Sequence, residues 1–133
     1  MKSAKQLKGR IEAAMRQAYP HVPERYLTVR GFGTSHSRLL AYLVRSAGSE
    51  VSAEELRMLT GDAVHTERRT RDLRDLGFHL DAFHTGGSDV YVLRSDEPDA
   101  GVGAALQLTR NIRSDKSISA AEGTSSLRSL GLG

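Results

Sequence analysis

Two β-prone runs, Phe78-His79-Leu80-Asp81-Ala82-Phe83-His84 and Asp89-Val90-Tyr91-Val92-Leu93, flank the segment Thr85-Gly86-Gly87-Ser88. The first alternates with a period of two and the second is rich in β-branched and aromatic residues. Two such runs joined by a short glycine-containing loop read as an antiparallel hairpin. A lone two-stranded hairpin is marginal in water, so the chain must supply helices to cover it.

Helical patterns lie on both sides of the hairpin. Leu7, Ile11, Ala14, Met15 and Ala18 recur at three- and four-residue steps, which predicts a helix over 4–19 that ends at Pro20. Residues 21–34 form a connector in which Tyr26, Leu27 and Val29 suit a short strand. A second helix is expected from His36 to Ala47 with Ser35 as its N-cap and Leu39, Leu40, Leu43 and Val44 inward. Ser52-Ala53-Glu54-Glu55 is a capping box that opens a short helix over 53–60. A tight turn at Gly61 leads to a helix over 63–76, with Thr66, Thr70, Leu73 and Leu76 inward and Gly77 as its left-handed stop. Beyond the hairpin, Val102, Ala105, Leu106, Thr109 and Ile112 predict the buried stripe of a helix over 99–113. From residue 114 onward Ser, Gly and Ala dominate, and 114–133 is expected to be a disordered tail to which Leu127, Leu130 and Leu132 add only weak docking.

Composition narrows the chemistry. Apolar residues make up 38% and charged residues 26% of the 133, too apolar for a fully disordered chain. No run approaches the ~20 apolar residues of a membrane span, and the charged start from Met1 to Arg10 lacks a signal core, so a cytoplasmic, membrane-free protein is expected. The absence of Cys excludes disulfides, thiolate zinc sites and a Cys nucleophile. The five histidines, His21, His36, His65, His79 and His84, form no helical i, i+4 metal pair, and no serine sits in a nucleophile elbow. A binding module without cofactor or metal is expected rather than an enzyme. The overall charge of +3 hides an asymmetry: residues 1–45 hold nine basic and two acidic side chains, and 46–113 hold eight and twelve. The first third fits either contact with a polyanion or a solvated basic helix.

The order helix, helix, tight turn, helix, hairpin, together with Val51-Ser52-Ala53-Glu54-Glu55-Leu56, Thr60-Gly61 and Arg68-Arg69-Thr70-Arg71-Asp72-Leu73-Arg74-Asp75-Leu76-Gly77-Phe78, resembles a winged helix-turn-helix over about residues 35–95. The stretch 68–78 also resembles the winged-helix modules attached to bacterial HNH-type restriction endonucleases. The resemblance implies an α+β fold. Its parts are a basic N-terminal helix and connector over 1–34, the winged domain over 35–95, a C-terminal helix over 96–113 and the tail. It further implies a recognition helix in the major groove, presenting His65, Arg68, Arg69 and Asp72 to base edges, with Thr66 and Arg71 adjoining. The same helix also suits a solvated face laced by Glu67–Arg71 and Arg71–Asp75 ion pairs.

A second candidate is Arg30-Gly31-Phe32-Gly33-Thr34-Ser35-His36-Ser37-Arg38. Its glycines permit close approach, and Ser35, His36 and Ser37 at a helix start suit a DNA phosphate supported by Arg30 and Arg38. Plain capping after a flexible loop explains the segment equally well. The wing tip, Thr85, Gly86, Gly87 and Ser88, lacks Arg or Lys, so its contacts would be backbone or hydroxyl to phosphate, with His84 and Arg94 adding charge near its base. Double-stranded DNA is the expected partner, as a transcription regulator's site or as 5-methylcytosine DNA. A protein-interaction adaptor, or a homodimer through the first helix, is the alternative of a different class.

Overall fold

The computed structural model describes residues 4–60 and 66–132. Helix α1 spans Ala4–Ala18. It buries Leu7, Ile11 and Met15 at four-residue steps and leaves Lys5, Lys8 and Arg16 in solvent. The connector makes a 3₁₀ turn at Glu24–Tyr26 where the residue pattern predicts a strand. Strand pairing is replaced there by side-chain hydrogen bonds: Asn111 Nδ2 donates to the carbonyls of Tyr26 at 2.8 Å and Thr28 at 2.6 Å. The Val29 N–H is held by Glu12 Oε2 at 3.0 Å. Tyr26, Leu27 and Val29 then enter the core singly.

Helix α2 runs Thr34–Arg45, two residues earlier than expected, and its N-cap is Gly33 rather than Ser35. The imidazole of His36 causes the shift, since its Nδ1 accepts the Gly33 N–H at 3.2 Å and so closes the first turn. Strand β1 (Val51–Ser52) leads directly into α3 (Ala53–Thr60). The Ser52–Glu55 box forms as the sequence predicts, with Glu55 N–H donating to Ser52 Oγ at 3.1 Å and Ser52 N–H to Glu55 Oε1 at 3.3 Å. Helix α4 is described over Thr66–Arg74. The expected turn at Gly61, the start at Ala63 and the site residue His65 lie outside the described residues.

Strands β2 (Leu80–Thr85) and β3 (Ser88–Leu93) pair antiparallel, and β1 pairs with the other edge of β3 to give the order β1-β3-β2. Gly86 and Gly87 form the two-residue loop at φ +56° and +79°. A loop with positive φ at both central positions matches the twist of a hairpin, and glycine adopts it without strain. The fold is α+β, with six α-helices and a small three-stranded antiparallel sheet among the described residues, and the order α2-β1-α3-α4-β2-β3 is compatible with a winged-helix layout. Helices α2, α3 and α4 and the Tyr91/Leu93 face of the sheet close one core, which α1 and a further helix extend.

That further helix, α5 (Ala100–Arg113), is capped by Asp99, whose side chain accepts from Val102 N–H at 3.1 Å. Its length agrees with expectation but its buried face does not. Ala104, Gln107, Leu108, Asn111 and Ile112 face inward, while Val102 is 48% and Leu106 37% exposed. Gln107 and Asn111 are stable there because each donates to main-chain carbonyls, Gln107 to Asp75 O at 2.8 Å. Apolar periodicity cannot register a buried amide. The C-terminal segment is also corrected: it is no disordered tail but carries helix α6, Ala120–Ser129. A capping box between Ser119 and Glu122 starts it, Leu127 is 1% exposed in the core, and Leu130 and Leu132 pack beside it.

The α4 end and the α5 start meet without side chains between them. A Cβ on Gly103 would lie 2.3 Å from the Leu76 carbonyl oxygen, and one on Gly77, at φ +99°, would lie 2.1 Å from that of Asp99. Gly103→Ala is therefore expected to cost about 1–3 kcal/mol by overpacking. Gly101→Ala, on the exposed side of the same helix, is expected to gain about 0.5–1 kcal/mol. Urea unfolding of the two variants checks both signs.

Candidate nucleic-acid interface

Helix α4 separates its residues by the 3.6-residue period. Thr66, Thr70 and Leu73 are buried, each at 1% exposure or less, and the Thr70 hydroxyl is satisfied by donating to Glu67 O at 2.7 Å. Thr66 thus belongs to the core, and its expected contact with bases is corrected. Glu67, Arg68 and Arg71 are exposed on the outward face. Arg69, half-buried, turns to one flank. Arg74 turns to the other, where its Nε donates to Leu80 O at 2.8 Å and ties the helix to β2.

Asp72 does not share the outward face with Arg68, as the spacing implied. It points at α2 and α5. Its Oδ2 is 2.8 Å from His36 Nε2, and its Oδ1 is 3.4 Å from Arg110 Nη1. Arg110 also lies 3.5 Å from Asp75 Oδ2. Burial pushes the Asp75 carboxyl above its ordinary range, and the Arg110 charge opposes that shift. Two of the three carboxylates that offset the four arginines of this segment, Asp72 and Asp75, are therefore compensated by a cation from α5, and nothing in the local pattern pointed to Arg110.

His36 is corrected with Asp72. It is 9% exposed, and both ring nitrogens are engaged. Because Gly33 N–H donates to Nδ1, the proton of the neutral ring sits on Nε2 and is donated to Asp72. His36 thus links the start of α2 to α4 and is not presented to a phosphate. Ser37 Oγ donates to Gly33 O at 3.3 Å, and Ser35 and Ser37 are half-buried. Arg30 and Arg38 are exposed.

Tertiary structure brings the two sequence candidates together. Arg69 from α4 and the residues Gly31, Phe32, Gly33 and Ser35 line one open cleft of about 430 Å³. Phe32 forms its aromatic wall, stacked on His36 with ring centroids 5.4 Å apart. The wing tip, Thr85, Gly86, Gly87 and Ser88, is wholly exposed. Its neighbours do not add free charge: His84 Nδ1 is 2.9 Å from Asp89 Oδ1, and Arg94 Nε donates to Asp81 Oδ2 at 2.7 Å while its guanidinium lies 5.9 Å from the Phe83 ring centre. Among the described residues no group of three His, Asp or Glu side chains is arranged to hold a metal, and no helix is long and apolar enough to cross a membrane.

Residues 36–98, from the first turn of α2 to the approach of α5, match the family model of the KpnI N-terminal domain. No curated protein and no solved structure matches the chain.

The contacts of Asp72 generate a test. Asp72→Ala leaves the His36 N–H without its acceptor and removes one of the two carboxylates beside Arg110. A stability loss of about 1–3 kcal/mol is expected, against about 0.5 kcal/mol or less for an ordinary surface aspartate. Urea unfolding measures it.

Proposed function

We propose that the chain is a double-stranded-DNA-binding module of the winged-helix kind, with α4 lying in the major groove. The observation that carries this reading is the outward face of α4. Its inward side is fully buried, its aspartates are turned away and compensated, and Arg68 and Arg71 project to solvent. Guanidinium groups on an exposed helix face match guanine O6 and N7 or phosphate oxygens. The exposed Gly86-Gly87 tip lets the wing approach the backbone closely without reading sequence. The likeness to the KpnI N-terminal domain supports a DNA-related role in a restriction system, and this is favoured over a transcription regulator or a protein adaptor.

Arg68→Ala with Arg71→Ala is expected to weaken duplex binding by about 1–3 kcal/mol for each bidentate arginine–base pairing removed. Wild-type affinity should fall steeply with salt, because each neutralised phosphate releases counterions. Anisotropy titrations of a random-sequence duplex pool at several salt concentrations measure both. No binding at low salt, or a flat salt response, defeats the reading and leaves the adaptor.

A second reading within this class concerns base modification. Recognition of a methyl group in the major groove needs an apolar or aromatic contact. Tyr26 and Tyr91 are buried, and Phe83 lies beneath Arg94 on the hairpin. Phe32 is only half-buried and shares its cleft with Arg69 of α4. If 5-methylcytosine is read, Phe32→Ala should abolish a preference for methylated over unmethylated copies of one duplex. Equal wild-type affinities for the two copies remove the modified-base reading.

A further inference from the structure

The connector and the turn between α5 and α6 enclose a cleft of about 330 Å³ that no motif in the sequence announces. Arg25 and Arg30 of the connector and Lys116 of the turn line it. Its walls are fixed in advance. Asn111, 3% exposed, pins the connector by donating to the Tyr26 and Thr28 carbonyls. The Tyr26 hydroxyl hydrogen-bonds the Asp115 carboxylate, and the Arg25 guanidinium lies 4.7 Å from the Tyr26 ring centre.

The one carboxylate in the cleft is already engaged. Asp115 accepts from the Ser117 hydroxyl at 2.6 Å, from the Ser117 N–H at 2.9 Å and from Tyr26, and Arg25 lies 3.5 Å away. These donors, Ser117 first, hold its pKa down to about 2. Arg30 donates to the Arg25 carbonyl at 3.3 Å. Among the described residues neither Arg30 nor Lys116 has a carboxylate partner. Two exposed cations thus line a preformed opening whose one carboxylate is ionised, is held by Ser117 and Tyr26, and lies beside the Arg25 charge, so the cations outnumber the acid. The ring of Tyr26 is buried under Arg25, so no exposed aromatic surface is offered to a base.

Position decides which anion this chemistry takes. Arg30 directly precedes Gly31, which lines the cleft containing Arg69. The two clefts therefore adjoin along the chain at Arg30–Gly31, one carrying Arg69 and the other Arg25, Arg30 and Lys116. We propose that the Arg30–Lys116 cleft is a second phosphodiester site, gripping the duplex backbone beside the groove that α4 enters. It rests on the DNA-binding reading and deepens it: α4 supplies base contacts, while the connector and the C-terminal segment supply sequence-independent grip. The site also gives the α5–α6 turn a function, since the turn carries Lys116 to the connector.

The test uses the full chain carrying Arg30→Gln and Lys116→Gln, both on exposed positions. The matched control removes two charges elsewhere, at Arg45 and Arg128 in the last turns of α2 and α6. Duplex affinity is measured from about 50 to about 200 mM salt. Each phosphate no longer neutralised should flatten the log–log slope by about 0.9, so the double variant should lose about 1.8, by a similar amount for unrelated sequences. The control should lose less than half of that. If the double variant unfolds, Lys116→Gln alone should lose about 0.9. Inorganic phosphate serves as the second probe and is expected to compete only weakly. A wild-type slope that survives the substitutions, or an equal loss in the control, overturns the site and leaves the α4 reading intact. Tight phosphate binding with an unchanged duplex slope assigns the cleft to a free anion and overturns it. A wild-type chain with no affinity for any duplex overturns both proposals.

Discussion

The contact between the end of α4 and the beginning of α5 governs the rest of the molecule. Backbone meets backbone there, since neither Gly77 nor Gly103 leaves room for a side chain. The Asp99 N–H donates to the Gly77 carbonyl at 2.8 Å, and Gln107 donates to that of Asp75. Close approach at this point brings Arg110 within reach of Asp72 and Asp75. A helix that looks like an appendage in the linear chain thereby becomes a brace along the flank of α4.

The brace and the imidazole of His36 together set the roll of α4 about its axis. Buried Thr66, Thr70 and Leu73 hold one side, Arg74 ties a second to β2, and Asp72 ties a third to α2 and α5. The side left over is the one that carries Arg68 and Arg71. Its positive character depends on an excess of arginines over Glu67 on that face and on Asp72 and Asp75 being compensated from outside the helix. An isolated peptide of the same sequence would present Asp72 and Asp75 to an approaching phosphate as readily as its arginines.

Local features are legible in the chain. The hairpin follows from Gly86-Gly87 between two β-prone runs, and the α3 start from Ser52 and Glu55. The α4 stop follows from Gly77, and the α1 face from Leu7, Ile11 and Met15. Less of the candidate site can be read. Exposed Arg30, Arg38, Arg68 and Arg71 and the hairpin tip lie where the pattern puts them. His36, Thr66 and Asp72 do not, because a polar residue at a helix face is ambiguous until its partner is known. Strand-like Tyr26–Val29 fails for the same reason, since a distant amide captures its carbonyls. The segment after residue 114 looks disordered because its leucines are sparse, although the Ser119–Glu122 box is a start signal as clear as that of α3.

The chain by itself determined the α1 face, the Ser52–Glu55 start of α3, the stop at Gly77 and the Gly86-Gly87 turn, where hydrogen-bond geometry and allowed dihedrals are fixed by residues within about four positions. Tertiary structure alone decided which stripe of α5 is buried, which charges of α4 reach solvent, and that Arg30 and Lys116 share a cleft. Those outcomes rest on hydrogen bonds and close approaches between residues tens of positions apart. Their energies exist only once the backbone has brought the partners together.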